Sequence, residues 1–264
     1  MRAIILAAGR GSRLHPYTEN CPKCLTELDG MTLIERQLQT LGNAGIHDIV
    51  IATGYRAEML ALPGTRQVHN AEWETTNMVE SLFCAEAEFG DDLIVSYADI
   101  LFEPRVLKNL LDSPHDISVA VDRQWRAYWE YRFADPLSDA ESLRLDDQGR
   151  ITDIGNDIDD IGDAQAQYMG LMRFKGGGVE GLKKTRAGLG RIERSWMQTR
   201  TIDNAYMTDL LMEMILTGIA VHAAPVDGGW LEIDTVEDYE KTAAMFADGS
   251  ILRFFNPDAL ADSV

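Results

Sequence analysis

Short, continuously apolar runs recur along the first half of the chain, separated by stretches in which apolar positions return every three or four residues. Residues 2–6 (RAIIL) read as a strand buried on both faces, the pattern of a parallel sheet. Residues 32–45 (TLIERQLQTLGNAG) place Leu33, Ile34, Leu38 and Leu41 on one face. Thr32 and Glu35 form a capping box at their start and Gly45 stands at their end, so a helix is predicted. Strands follow at 48–53, 93–97 and 117–121, with a helix over 77–89 for which Asn77 and Glu80 offer a cap. Right-handed crossovers need a helix between parallel strands. The alternation up to about residue 121 therefore predicts an α/β fold with a Rossmann-like, doubly wound, mostly parallel sheet. Ligands of such sheets lie beyond the carboxyl ends of the strands, where the loop after residue 6 and Asp99 both fall.

Beyond residue 122 the alternation lapses. RQWRAYWEYRF is rich in aromatics, and SLRLDDQGRITDIG reads as a hairpin turning at DDQG. A helix over 204–216, a strand over 220–226 and a last helix capped by Thr235 with Asp238 complete the pattern. With no linker, repeat or low-complexity block, residues 1–264 read as one domain. Within it, 1–121 form a regularly alternating core and 122–234 a smaller mixed subregion.

Composition narrows the function. The 264 residues are 45% apolar, enough for a sizeable core, and contain no run of 18 apolar residues, so a soluble, cytoplasmic protein without membrane association is expected. Asp and Glu number 43 against 24 Lys and Arg, a net charge of −19, which opposes binding to nucleic acid. Residues 1–30 depart from this balance: Arg2, Arg10, Arg13 and Lys23 face Glu19, Glu27 and Asp29. A local cationic site in an acidic protein suits a small, highly charged anion. Three cysteines are too few for a disulfide framework, and Cys21 and Cys24 lack the further ligands of a structural zinc, so they read as thiols in a loop.

A glycine-containing loop between strand and helix brings backbone N–H groups close to phosphates. The loop here is not a Walker A sequence, and the dinucleotide fingerprint needs a third glycine where Leu14 stands. That leaves a nicotinamide-linked oxidoreductase poorly supported. Residues 6–25, LAAGRGSRLHPYTENCPKCL, instead match LAAGxGxRLxPxTxxxPKxL at every fixed position. The chain thereby resembles the nucleotidyltransferases that activate sugar phosphates and small phosphorylated alcohols, whose fold is GT-A-like. Thinner resemblance recurs at 97–100, 168–174, 204–211 and 230–239.

The resemblance implies that Leu6, Ala7, Ala8, Gly9, Gly11, Ser12, Arg13, Tyr97 and Ala98 bind the nucleotide. It makes Arg13 and Lys23 the catalytic cations, one on the triphosphate and one between it and the acceptor phosphate. Such neutralisation is physically needed, since two unit charges 4 Å apart cost about 4 kcal/mol at an effective dielectric of 20. It also implies Mg2+ held by Asp99, at the strand end YADI, and Asp234, in WLEIDTVED, with Glu232 nearby. The acceptor phosphate is already ionised, so no protein nucleophile is required; His15, His47, His69, His115 and His222 are scattered accordingly.

TTNMVESLFCA matches the TNNxxSLxxA segment of phosphocholine and aminoethylphosphonate cytidylyltransferases at Thr76, Asn77, Ser81, Leu82 and Ala85, departing at Met78. The GTAxA-like segment of sugar-phosphate enzymes is missing. The resemblance thus implies CTP, with Asn77 and Ser81 at the nucleotide, and a small phosphorylated amino-alcohol or phosphonate as acceptor. Trp125, Tyr128, Trp129 and Tyr131 offer aromatic faces to an ammonium headgroup, with Glu130, Glu232 or Asp203 as carboxylate; Tyr168 and Asp209 match acceptor-side positions. Sugar-1-phosphate uridylyl- or thymidylyltransferase activity, or a silent nucleotide-binding regulatory subunit, are the alternatives. A homodimer through the aromatic stretch or residues 254–260 is a further expectation.

Overall fold

The computed structural model describes residues 1–190 and 201–260. Strand β1 (Arg2–Ala7) sends Ala3, Ile5 and Ala7 into one core cluster and Ile4 into the cluster on the opposite face, as alternation along a doubly covered strand requires. Two short strands, β2 (Glu27–Leu28) and β3 (Met31–Thr32), turn through Asp29 and Gly30, both at positive φ, into α1 (Leu33–Asn43). The Thr32–Glu35 capping box forms as expected. The chain continues through β4 (Ile49–Thr53), β5 (Thr65–His69), α2 (Met78–Cys84), β6 (Asp92–Tyr97), β7 (Ile100–Phe102), α3 (Pro104–Asp112) and β8 (Ile117–Asp122).

Helix α2 is shorter than the expected 77–89. The Asn77 carboxamide accepts from Met78 N–H, Glu80 is drawn off to Arg186 instead of turning back to the cap, and the chain passes into a single 3-10 turn at Glu86–Glu88. After β8 come α4 (Trp125–Arg132), the antiparallel hairpin β9 (Glu141–Leu145) and β10 (Ile151–Asp157), β11 (Gln167–Lys175) and α5 (Gly177–Leu189). Helix α6 (Met207–Leu216), β12 (His222–Val226), β13 (Trp230–Glu232) and α7 (Val236–Asp248) complete the order. Helix α6 starts later than the expected residue 204, because Asp209 accepts from the Tyr206 N–H and fixes the first turn there.

Seven strands form the central sheet in the order β12-β8-β11-β6-β1-β4-β5. It is mostly parallel around β1, with core clusters on both faces. β11 runs antiparallel between β6 and β8, and β12 lies parallel to β8 at the edge. Two strands from beyond residue 122 thus belong to the main sheet. A mostly apolar run such as YMGLMRF carries no mark of strand direction or neighbour, so the sequence pattern does not place these strands in the sheet. Strand order reverses at β1, and the carboxyl ends of β1, β4, β5 and β6 meet on one edge. Among the described residues no helix is long and apolar enough to cross a membrane.

Candidate active site

The loop leaving β1 borders a cleft with a cavity of about 170 Å³. Leu6 and Ala7 line it from the end of β1, Ala8, Gly9 and Gly11 from the loop, Tyr97, Ala98 and Asp99 from the end of β6, and Asn77 and Ser81 from the start of α2. Gly11 has a φ of 71°, and a Cβ there would stand 2.7 Å from Lys23 Cβ, so the loop closes over the lysine stem only without a side chain. Ser12 and Arg13 occupy a single turn, Ser12–Leu14, anchored by buried Leu14 and outside the lining itself.

Lys23 enters from a second short turn, Lys23–Leu25. Its side chain is 11% exposed, and Nζ donates to Asp99 Oδ2 and to Asp234 Oδ1, both at 2.6 Å. Arg13 pairs with the other oxygen of Asp234 at 2.6 Å, its guanidinium largely in solvent. Burial alone would lower the Lys23 ammonium, but Asp99 and Asp234 outweigh it and hold it above its ordinary value. Residues 76 and 211 positions away in sequence therefore share one cation. Asp99 Oδ1 is buried with no hydrogen-bond partner among the described residues, a lone-pair donor left for something else to satisfy.

The Tyr97–Ile100 turn that presents Asp99 is braced from below. Gln37, buried on α1, donates to Tyr97 O at 2.8 Å and Ile100 O at 2.7 Å and accepts from Ser96 Oγ. Gly170, at φ 73°, lies so close to the Tyr97 ring that a Cβ would approach it to 2.7 Å; Tyr168 meets that ring edge-on at 5.7 Å.

A family model, the MobA-like NTP transferase domain, matches residues 3–154. The chain belongs to that family. It is a nucleotidyltransferase with the α/β, GT-A-like architecture expected from its opening signature. Over 252 residues it is 34% identical to the CTP:phosphoglutamine cytidylyltransferase of Campylobacter jejuni, covering 91% of this chain and 98% of that one. It is 32% identical to a choline-phosphate cytidylyltransferase of Streptococcus pneumoniae, over 55% of this chain and 67% of the relative. The solved CTP:phosphocholine cytidylyltransferase from Streptococcus pneumoniae superposes with a TM-score of 0.70 at 23% identity, over 93% of this chain and 98% of that one.

Within this nucleotidyltransferase the expected acceptor wall is not where the aromatic stretch suggested. Trp129 is 1% exposed and packs with Trp125, Tyr128 and Trp230 in the core; Tyr131 is half-buried against Phe254, its hydroxyl donating to Lys241 O. Four large aromatics in one short helix bury more apolar area than any exposed wall would, and the core takes them. Trp129 is thereby excluded from contact with a headgroup. Asp203 is exposed, and its main-chain carbonyl accepts from Asn77 N–H at 2.8 Å, docking the start of α2. Asp209 is buried as the cap of α6.

Glu232 remains beside the metal-binding candidates but is gripped by Arg132 at 2.6 Å. Burial pushes its carboxyl up to about 7 against the opposing pull of Arg132, with Asp99 and Asp234 adding to the rise. Arg132, 2% exposed, also holds Asp238 through two nitrogens at 2.9 and 3.1 Å, and Asp238 accepts from the Asp234 and Thr235 N–H groups. This network positions the Asp234 loop. Sequence reasoning missed Gln37, Arg132, Asn70 and Trp73, the last lining the cleft. The available signal was polar residues on otherwise apolar faces (Gln37, Arg132); Asn70 carried none, since the pattern over 65–69 does not predict the strand that it follows. Arg10 lies over Tyr55, whose ring is 5.5 Å from Trp73. Cys24 is buried, its thiol pushed up to about 12, which suits packing rather than redox chemistry.

Proposed function

We propose that the protein transfers CMP from CTP to a small phosphorylated or phosphonate acceptor, releasing pyrophosphate. The observation that carries this reading is the convergence of Asp99 and Asp234 on Lys23, of which Lys23 and Asp99 line the glycine-loop cleft. In the reaction an acceptor phosphate oxygen, already ionised, bonds to the α-phosphorus of CTP while the bond from that phosphorus to the pyrophosphate oxygen breaks. Lys23 stands between the two anions and lowers their repulsion, and Arg13, more exposed, meets the triphosphate from outside. The backbone of residues 6–13 orients the nucleotide, so positioning and charge neutralisation supply the catalysis.

Asp99 and Asp234 would hold Mg2+. Two carboxylates with one oxygen unpaired suit an ion that takes one or two protein carboxylates and fills its other positions with phosphate oxygens and water. Bound there, the ion supplies positive charge to the phosphates as pyrophosphate departs.

For the acceptor, the relative matched along nearly its whole length is named for phosphoglutamine. The burial of Trp129 removes one argument for a quaternary ammonium group. We place phosphorylated amides and primary amines ahead of phosphocholine. The test is pyrophosphate release with CTP, UTP, dTTP and ATP against phosphorylated glutamine, phosphoethanolamine, 2-aminoethylphosphonate, phosphocholine and sugar 1-phosphates. Turnover with UTP or dTTP and a sugar 1-phosphate, and none with CTP, would overturn the reading.

A further inference from the structure

The part of the cleft lined by the segment that leads into α2 is built from hydroxyl groups whose hydrogen bonds are already half committed. Thr76 and Ser81 line the cleft near Trp73. Behind them stands Asn70, 2% exposed, one residue past the end of β5. Its main-chain N–H donates to Thr53 O at 2.8 Å, and its Oδ1 accepts from Glu72 N–H at 3.0 Å. A main-chain N–H can only donate, so this second bond decides which side of the carboxamide is oxygen. The Nδ2 protons must then face the hydroxyls: Nδ2 donates to Thr76 Oγ1 at 2.9 Å and to Ser81 Oγ at 3.0 Å.

Each hydroxyl has one proton to donate and two lone pairs to offer. Thr76 donates its proton to Glu72 O at 2.9 Å, and Ser81 donates to Asn77 O at 3.3 Å. With one lone pair of each taken by Asn70, a single lone pair per hydroxyl remains for a ligand. Both groups can accept from a ligand, and neither can donate without giving up a bond inside the protein.

We propose that Asn70 fixes the hydrogen-bond polarity of Thr76 and Ser81, so that this end of the cleft selects a base bearing an amino group over one bearing a carbonyl. The proposal rests on the cytidylyltransferase reading and supplies its discriminating element. The 4-amino group of cytosine carries two protons and serves two acceptors. Uracil presents one N–H flanked by two carbonyl oxygens. Whichever hydroxyl that N–H serves, the other meets an oxygen, lone pair against lone pair. The placement of the base follows from charge: Lys23 and Asp99 cluster with Gly11, whereas Asn70, Thr76 and Ser81 form a neutral group between the end of β5 and the first turn of α2.

Binding without acceptor tests this apart from turnover. Calorimetric affinities for CTP and UTP are measured with the full-length protein, with Asn70→Leu, and with the near-isosteric Thr76→Val and Ser81→Ala. Wild type is expected to prefer CTP by about tenfold or more, the worth of one to two neutral hydrogen bonds. In Asn70→Leu, freed to turn its hydroxyl protons outward, the ratio is expected to fall to about threefold or less. Ser81→Ala and Thr76→Val are expected to weaken CTP about fivefold each, whereas UTP loses affinity only in the variant that lacks the hydroxyl serving its N–H, so at least one of the two lowers the CTP-to-UTP ratio. If folded Asn70→Leu loses affinity for both nucleotides equally, or the two hydroxyl variants keep the wild-type ratio, Asn70 only packs and the proposal falls. If wild type itself prefers UTP, the cytidylyltransferase reading falls instead.

Discussion

Lys23 does two jobs with one ammonium. In the absence of substrate it keeps the Asp99 and Asp234 carboxylates together; in the proposed reaction it keeps two phosphates together. Removing it leaves two neighbouring carboxylates, of which Asp234 keeps the exposed Arg13 as partner and Asp99 has no cation paired with it among the described residues. Lys23→Met is expected to lower transfer by a factor on the order of 10²–10³ and to destabilise the free protein by about 2 kcal/mol, below the full cost of breaking a buried pair because the cleft is open. Magnesium should offset that destabilisation. In thermal melts the rise in Tm on adding the ion should then be larger for the variant than for wild type; an equal rise would argue against a metal between these carboxylates. Asp99→Asn is expected to abolish transfer while shifting Tm by no more than a few degrees, since it removes charge and little packing.

At the scale of elements, polar side chains on buried faces tie the helices to the site. Gln37 on α1 holds the two carbonyls that flank the Asp99 turn. Gln37→Leu strands Ile100 O and leaves Tyr97 O with the Ser96 hydroxyl at 3.1 Å, and should cost about 1–3 kcal/mol in urea unfolding, with a loss of activity greater than the loss of folded protein explains. Arg132 ties α4 to the first turn of α7 and, through Asp238, to the main chain at Asp234. Arg132→Met leaves two carboxylates without their cation and should destabilise by about 3 kcal/mol or more. Burial would raise the Asp238 carboxyl, but the Arg132 guanidinium outweighs it and holds the group below its ordinary 3.8. A group depressed in the folded state stabilises fully above its unfolded value and loses that stabilisation as pH falls through the folded one. The stability advantage of wild type over Asp238→Asn should thus shrink as pH falls below about 4; a constant difference from pH 5 down to pH 2 would contradict the pair. Trp129→Phe, by contrast, belongs to the core and should lower stability without changing acceptor preference.

For the molecule as a whole, charge and topology act together. A protein at −19 repels a nucleotide at long range and attracts it only near Lys23 and Arg13. The Debye length shrinks from about 30 Å at 0.01 M salt to about 8 Å at 0.15 M, so added salt screens the distant carboxylates before the nearby cations. The association rate for CTP in stopped-flow mixing should rise over that range; a steady fall would mean that the cationic cradle dominates at every distance.

The sequence by itself determined strands β1, β4, β6 and β8, helix α1, the α1 and α7 caps, and the residues of the glycine loop, because each is set by contacts within a few positions of chain; it did not mark β5, β7 or α3. It also named Asp99 and Asp234, through motif rather than physics. Tertiary structure alone decided that these two aspartates share Lys23, that β11 enters the main sheet in reverse, and that the α4 aromatics face inward. It alone brought Gln37, Asn70 and Arg132 to their partners. Those outcomes depend on which distant segments compete for the same buried volume and the same hydrogen bonds, a choice made only when the whole sheet has assembled.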